Sequence, residues 1–141
     1  MKASLLLLLS FSMLSSHNPL AKYQWQNRLV LVFAPSSDTE LYQAQTKAIE
    51  AMGDGWAERE LVLFSIFPQS GNAAKAQLKP SEIQYLRDRY EVSEQDFVVL
   101  LIGKDGGEKL RLKDKTLSQA QLFPLIDGMP MRKAEMRARK N

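Results

Sequence analysis

The sequence predicts an α/β domain of order β-α-β-α-β-β-α, built on a four-stranded mixed sheet with helices on both faces. Three observations carry this. Three apolar runs rich in β-forming residues recur along the chain, RLVLVFA at 28–34, ELVLFSIF at 60–67 and FVVLLI at 97–102. Continuous runs of this length read as strands buried on both faces. A helical pattern behind a capping signature follows each of the first two. The third runs into Lys104-Asp105-Gly106-Gly107, a hairpin turn rather than a helix start.

The elements follow in order. Pro35-Ser36 ends the first run, and Ser37-Asp38-Thr39-Glu40 reads as a capping box, with a hydroxyl at N-cap and a carboxylate at N3. Behind it Leu41, Ala48, Ile49 and Met52 recur at helical spacing, and Gly53-Asp54-Gly55 stops the helix. The second run leads into a loop through Gly71-Asn72. Ser81-Glu82-Ile83-Gln84 is a second box, and Ile83, Leu86 and Tyr90 line one face of the helix it opens. Residues 108–112 return from the hairpin as a fourth strand. Thr116-Leu117-Ser118-Gln119 opens a last amphipathic helix with Leu122, Leu125 and Ile126 inward, and Gly128-Met129-Pro130 separates it from a short basic extension. Met129, Met131 and Met136 are expected to cover the sheet edge. The first two connections read as right-handed crossovers between parallel strands. This element order is that of the thioredoxin-like core; a flavodoxin-like sheet would need a helix where the Gly106-Gly107 hairpin stands.

Composition bounds the rest. The 141 residues are one domain's worth, with an ordinary globular balance of 45% apolar and 25% charged residues. Residues 1–21 read as a secretory signal peptide: Lys2 precedes an apolar stretch too short to span a membrane. Small residues place the cut after Ser16 or after Ala21, leaving 22–141 as a single domain with a basic C-terminal helix. The expected location is therefore periplasmic or extracellular. Charge is uneven: residues 22–127 carry 13 Lys and Arg against 15 Asp and Glu, whereas residues 128–141 carry five cations against Glu135 alone. That tail reads as a solvated helix end able to touch anionic surfaces weakly.

Two segments look familiar. Residues 90–106 resemble the thioredoxin stretch from helix through third strand to hairpin, with Asp96 where thioredoxins carry a cis-proline facing the substrate. After the first strand, Pro35 and Thr39 stand at the spacing of the peroxiredoxin Pro-x-x-x-Thr-x-x-Cys motif, and Tyr42 occupies the place of the peroxide-attacking cysteine. Residues 28–34, 41–45, 103–107 and 126–132 together resemble the thioredoxin-like domain-of-unknown-function family 4174, shared by exported bacterial proteins and vertebrate sushi-repeat matrix proteins. The resemblance implies a peroxiredoxin-like fold without an agreed activity.

The chain has no cysteine and one histidine, His17. Thiol peroxidase and disulfide exchange need a thiolate, and the Tyr42 phenol, with an ordinary pKa near ~10, is no substitute. A Ser-His relay and histidine-based transition-metal sites fail on the same count. Asp38, Glu40 and Asp96 could converge as a hard-cation site at the carboxyl edge of the parallel strands, but Asp38 and Glu40 are better explained as opposing a helix dipole. The expectation is a non-catalytic, cofactor-free binding domain that contacts its partner through Pro35, Ser36, Ser37, Asp38, Thr39, Tyr42 and Asp96. The partner class is a protein or cell-envelope component rather than nucleic acid. The alternatives are an accessory role in oxidative-stress defence and a carboxylate- or metal-dependent enzyme.

Overall fold

The computed structural model describes residues 18–141; the leader over residues 1–16, the cut after Ser16 and His17 lie outside them. After a short 3-10 turn at Ala21–Tyr23 come β1 (Arg28–Phe33), α1 (Glu40–Glu50), α2 (Asp54–Glu58), β2 (Leu61–Ile66), β3 (Gly71–Ala73), β4 (Ala76–Gln77), α3 (Pro80–Tyr90), β5 (Val98–Ile102), β6 (Glu108–Lys113), α4 (Gln119–Asp127) and α5 (Pro130–Arg139). Among these residues no helix is long and apolar enough to cross a membrane.

The sheet has six strands, not four, in the order β4-β3-β2-β1-β5-β6. The extra pair is the segment read as a loop. Its strands are three and two residues long, too short to show alternation. Gly71 makes the pairing possible, since a Cβ there would stand 2.6 Å from the Ser65 carbonyl oxygen.

Strand direction is the second correction. β1 and β2 are parallel as expected, but β5 runs antiparallel to β1. Apolar runs carry no direction; the connection sets it. Phe33 pairs with Ile66 on one side and Val98 on the other, so β5 starts at the end of the sheet where β2 finishes. A left-handed cap at Glu91 (φ +53°) turns the chain out of α3.

The two-residue period of β1 divides the core. Leu29, Leu31 and Phe33 pack under α3 with Phe64, Leu100, Ile83 and Leu86, whereas Val30 and Val32 pack with Val99, Leu101, Ile49, Leu122 and Ile126 under α1 and α4. All six β1 residues are buried, as the uninterrupted apolar run requires.

Helix starts moved. α1 begins at Glu40 with Thr39 as N-cap and no side-chain cap, so Ser37 does not cap it; Ser36 Oγ instead accepts from the Asp38 N–H at 3.3 Å. α3 begins at Pro80 with Lys79 as N-cap, two residues before the expected cap Ser81, and Glu82 Oε1 accepts from the Lys79 N–H at 2.8 Å. α4 opens within the expected Thr116–Gln119 segment, with Ser118 as its N-cap, Oγ accepting from the Gln121 N–H at 3.2 Å. Leu122 and Ile126 face inward, but Leu125 is 37% exposed. The 103–107 hairpin stands as expected, with Gly106 at φ +86°, a value that favours glycine.

Candidate functional site

The expected site residues gather at one end of the sheet. The β1–α1 connection carries Pro35, Ser36, Ser37, Asp38 and Thr39, and the Phe33–Val98 pairing brings Asp96, just before β5, to the same edge. Thr39 Oγ1 donates to the Ser36 carbonyl at 3.1 Å, tightening the turn that launches α1. Tyr42 sits in the first turn of that helix. Its hydroxyl donates to Ser65 Oγ at 2.9 Å, and its ring meets Phe67 edge to face, centroids 5.0 Å apart. Ser65 is buried and Tyr42 half-buried, so the phenol is a fixed plug against the end of β2.

The acidic residues of this edge do not assemble. Asp96 lies 3.7 Å from Lys113 Nζ, and no group of three or more His, Asp or Glu able to hold a metal ion occurs among the described residues. Behind the edge lies Arg87, buried, its Nη1 donating to the Ser93 carbonyl at 3.0 Å and its guanidinium 5.7 Å from the Phe33 ring centroid. Burial lowers the Arg87 pKa from its ordinary value, against the opposing pull of Glu94 and Asp96.

The opposite end of the sheet holds a charge network that the sequence reading missed. Arg28, 1% exposed, grips Glu135 with both terminal nitrogens at 3.1 and 3.2 Å. Lys104 donates to the same carboxylate at 2.6 Å and also contacts Glu60. Beside it Asp127 accepts from Arg59 at 2.8 Å and from buried Arg132 at 3.1 Å. Burial works against the Glu135 carboxylate, but hydrogen bonds from Arg28 and Lys104 outweigh it and hold its carboxyl below the ordinary value. The same opposition, with Arg59 and Arg132 as donors, depresses Asp127. The tail is therefore not merely a solvated basic extension: α5 is docked through Arg132 and Glu135. Nor do the methionines act together, for Met129 packs against the core while Met131 is 40% exposed. One signal was present. The segments 103–107 and 126–132, which carry the family resemblance most specifically, contribute Lys104, Asp127 and Arg132 to this network.

Comparison with known proteins agrees with the architecture. Residues 19–135 match the domain of unknown function DUF4174. Coiled-coil domain-containing protein 80 of Danio rerio is 25% identical over 138 residues, covering 86% of this chain and 16% of that protein. Sushi repeat-containing protein SRPX2 of Xenopus laevis is 29% identical over 106 residues, covering 72% of this chain and 23% of that protein. The chain thus spans less than a quarter of either relative. Among solved structures, reduced 2-Cys peroxiredoxin of Plasmodium vivax superposes with a TM-score of 0.63 at 17% identity, over 82% of this chain and 72% of that one. At that identity the likeness shows a shared fold alone.

Proposed function

This chain belongs to the DUF4174 family of domains of unknown function, and on that premise we propose that it is an exported, non-catalytic binding domain whose contact surface is the edge formed by residues 35–42 and Asp96. The observation that carries the reading is Tyr42. The resemblance to peroxiredoxins puts a thiol at this position, and here a phenol fills it, held by Ser65 at 2.9 Å and by the Phe67 ring. The chain has no cysteine to supply thiol chemistry from elsewhere. A retained fold with a plugged nucleophile position suits recognition better than turnover.

The direct test replaces Tyr42 with a photo-crosslinking amino acid in the exporting cell, followed by mass spectrometry of the adducts. A single recurrent protein or envelope adduct is the expected outcome. Capture from probes at Lys133 or Arg137, with none at position 42, would move the contact surface to α5.

Export has its own readout. Leu20 is buried in the core layer under α3, and its N–H donates to Asn18 Oδ1 at 2.9 Å. A cut after Ala21 would remove that packing, which supports the cut after Ser16 over the cut after Ala21. The intact mass of the processed protein is expected to retain Leu20; a mature chain starting at Lys22 would overturn this.

A further inference from the structure

A second site lies at the far end of the sheet from Tyr42, on the α3 face. There a cavity of about 120 Å³ opens between the 3-10 turn, the end of α3 and the 103–107 hairpin. Its floor is apolar, with Leu29 and Ile102, and its wall carries Asn18, Gln24, Asn27, Arg89 and Asp105, whose carboxylate is taken by the Gly107 N–H and Lys109 Nζ, each at 2.9 Å.

The hydrogen bonds already made decide what these groups still offer. Gln24 Nε2 donates to the Asp105 carbonyl at 3.0 Å and Asn27 Nδ2 to the Glu60 carbonyl at 3.2 Å. Both amide nitrogens are fixed by carbonyl partners, and each side-chain oxygen is left as an acceptor. Asn18 is the reverse case: its Oδ1 is taken by the Leu20 N–H at 2.9 Å, so its amide nitrogen remains as a donor. Arg89 Nε donates to the Tyr90 hydroxyl at 3.4 Å, and Tyr90 and Tyr85, its hydrogen-bonding phenol neighbours, raise its pKa from the ordinary value. No ion pair among the described residues includes it, and its two terminal nitrogens form a fork without a carboxylate. Trp25, which follows Gln24 in the chain and stands outside the cavity lining, is 59% exposed and holds φ +68° while its N–H donates to the Lys104 carbonyl at 2.7 Å. A bulky side chain in that backbone region carries strain.

A guanidinium fork asks for a carboxylate. Free amide acceptors ask for donors, which a simple carboxylate lacks and hydroxyls supply. An apolar floor and an exposed indole suit the C–H faces of a sugar ring. From this combination we infer that the cavity binds a saccharide bearing a carboxylate, a uronic acid residue, with the acid on Arg89, hydroxyls on Asn18, Gln24 and Asn27, and a neighbouring ring on Trp25. This site is separate from the edge proposed above and stands or falls independently of it.

The test is a titration of the processed protein with a glucuronate-terminated disaccharide, its neutral glucose counterpart and an acetylated dipeptide of equal charge, read by calorimetry and by backbone and indole N–H resonances. The uronate is expected to bind saturably, roughly tenfold tighter than either control, with shifts confined to Arg89, Gln24, Asn27 and the Trp25 indole. Arg89→Gln is expected to erase that preference with an unchanged melting temperature, because Arg89 is exposed, and Trp25→Ala to weaken binding without erasing the preference. Equal binding of the dipeptide would overturn the saccharide assignment. Absence of saturation, or shifts mapping to Lys133, Arg137 and Lys140, would overturn the site.

Discussion

Replacing Glu135 with alanine is expected to lower the melting temperature by roughly 10 °C, taking about 3 kcal/mol as the loss. The estimate follows from what the substitution leaves behind. Arg28 and Lys104 are 1% and 7% exposed and share this one carboxylate, at 3.1 and 2.6 Å. Lys104 keeps Glu60; Arg28 keeps only the Arg59 carbonyl, at 3.1 Å. A buried guanidinium without a counter-charge costs far more than the intact pair contributes, because the desolvation of both ions has already been incurred. Glu135 is itself 22% exposed, which is why the lower end of the range for broken buried pairs applies. The triple replacement Arg28→Met, Lys104→Met, Glu135→Leu separates the two meanings: it is expected to recover most of the loss, since apolar side chains of similar volume remove the stranded charges with their partner. A Glu135→Ala protein melting within about 1 °C of the parent would refute the network's role.

The same residue sets a pH dependence whose sign can be worked out. The folded-state pKa of Glu135 is depressed, burial opposing and Arg28 and Lys104 prevailing. Its contribution is therefore fully present above the unfolded value of about 4.3 and is lost as pH falls through the folded value. Glu135→Gln should consequently be most destabilising at neutral pH and converge on the parent in acid. Asp127, depressed in the same way, adds to the parent's acid lability.

The network also marks where sequence reasoning stops. β1, β2 and β5 were legible because the core is two-sided, and burial on both faces writes itself as an apolar run; β6, an edge strand without a buried residue, was legible only as the return from the hairpin. The hairpin was legible because Gly106 needs a positive φ. What could not be read was direction, since the same run serves a parallel or an antiparallel neighbour, and pairing across distance. Composition shows five cations against one acid after Asp127 and suggests a solvated tail. It cannot show that the lone acid meets Arg28, 107 positions away. Tyr42 was legible as a position, through its spacing from Pro35 and Thr39, but its bond to Ser65 depends on the register of β2 against β1. The cavity beside Arg89 had no sequence signal, because it is made by three segments that touch only after folding.

Gln45 is the same lesson inside the core, and its replacement is the second large effect. Leu41, Gln45, Ile49 and Met52 follow helical spacing, which puts residue 45 in the middle of the buried face of α1, where polarity argues it should not be. The structure resolves the conflict with two hydrogen bonds. Gln45 is 0% exposed, its Nε2 donates to the Leu117 carbonyl at 2.9 Å, and its Oε1 accepts from the Leu117 N–H at 2.6 Å. The amide thus substitutes for a strand partner and fixes the segment leading into α4. Gln45→Leu preserves volume and loses both bonds, leaving a buried N–H and C=O unpaired, for an expected cost of about 2–4 kcal/mol. Hydrogen exchange at the Leu117 amide should accelerate well before that of the β1 amides. Gln45→Glu sharpens the point. A protonated carboxyl offers one donor and one acceptor and can restore both bonds, whereas the carboxylate meets a carbonyl oxygen without a proton between them. Its folded pKa is then raised, so the variant's stability is greatest below the unfolded value of about 4.3 and declines as pH rises. Relative to the parent, Gln45→Glu should therefore recover in acid. An unchanged penalty from pH 4 to pH 7 would mean that volume, not the paired bonds, is what position 45 contributes.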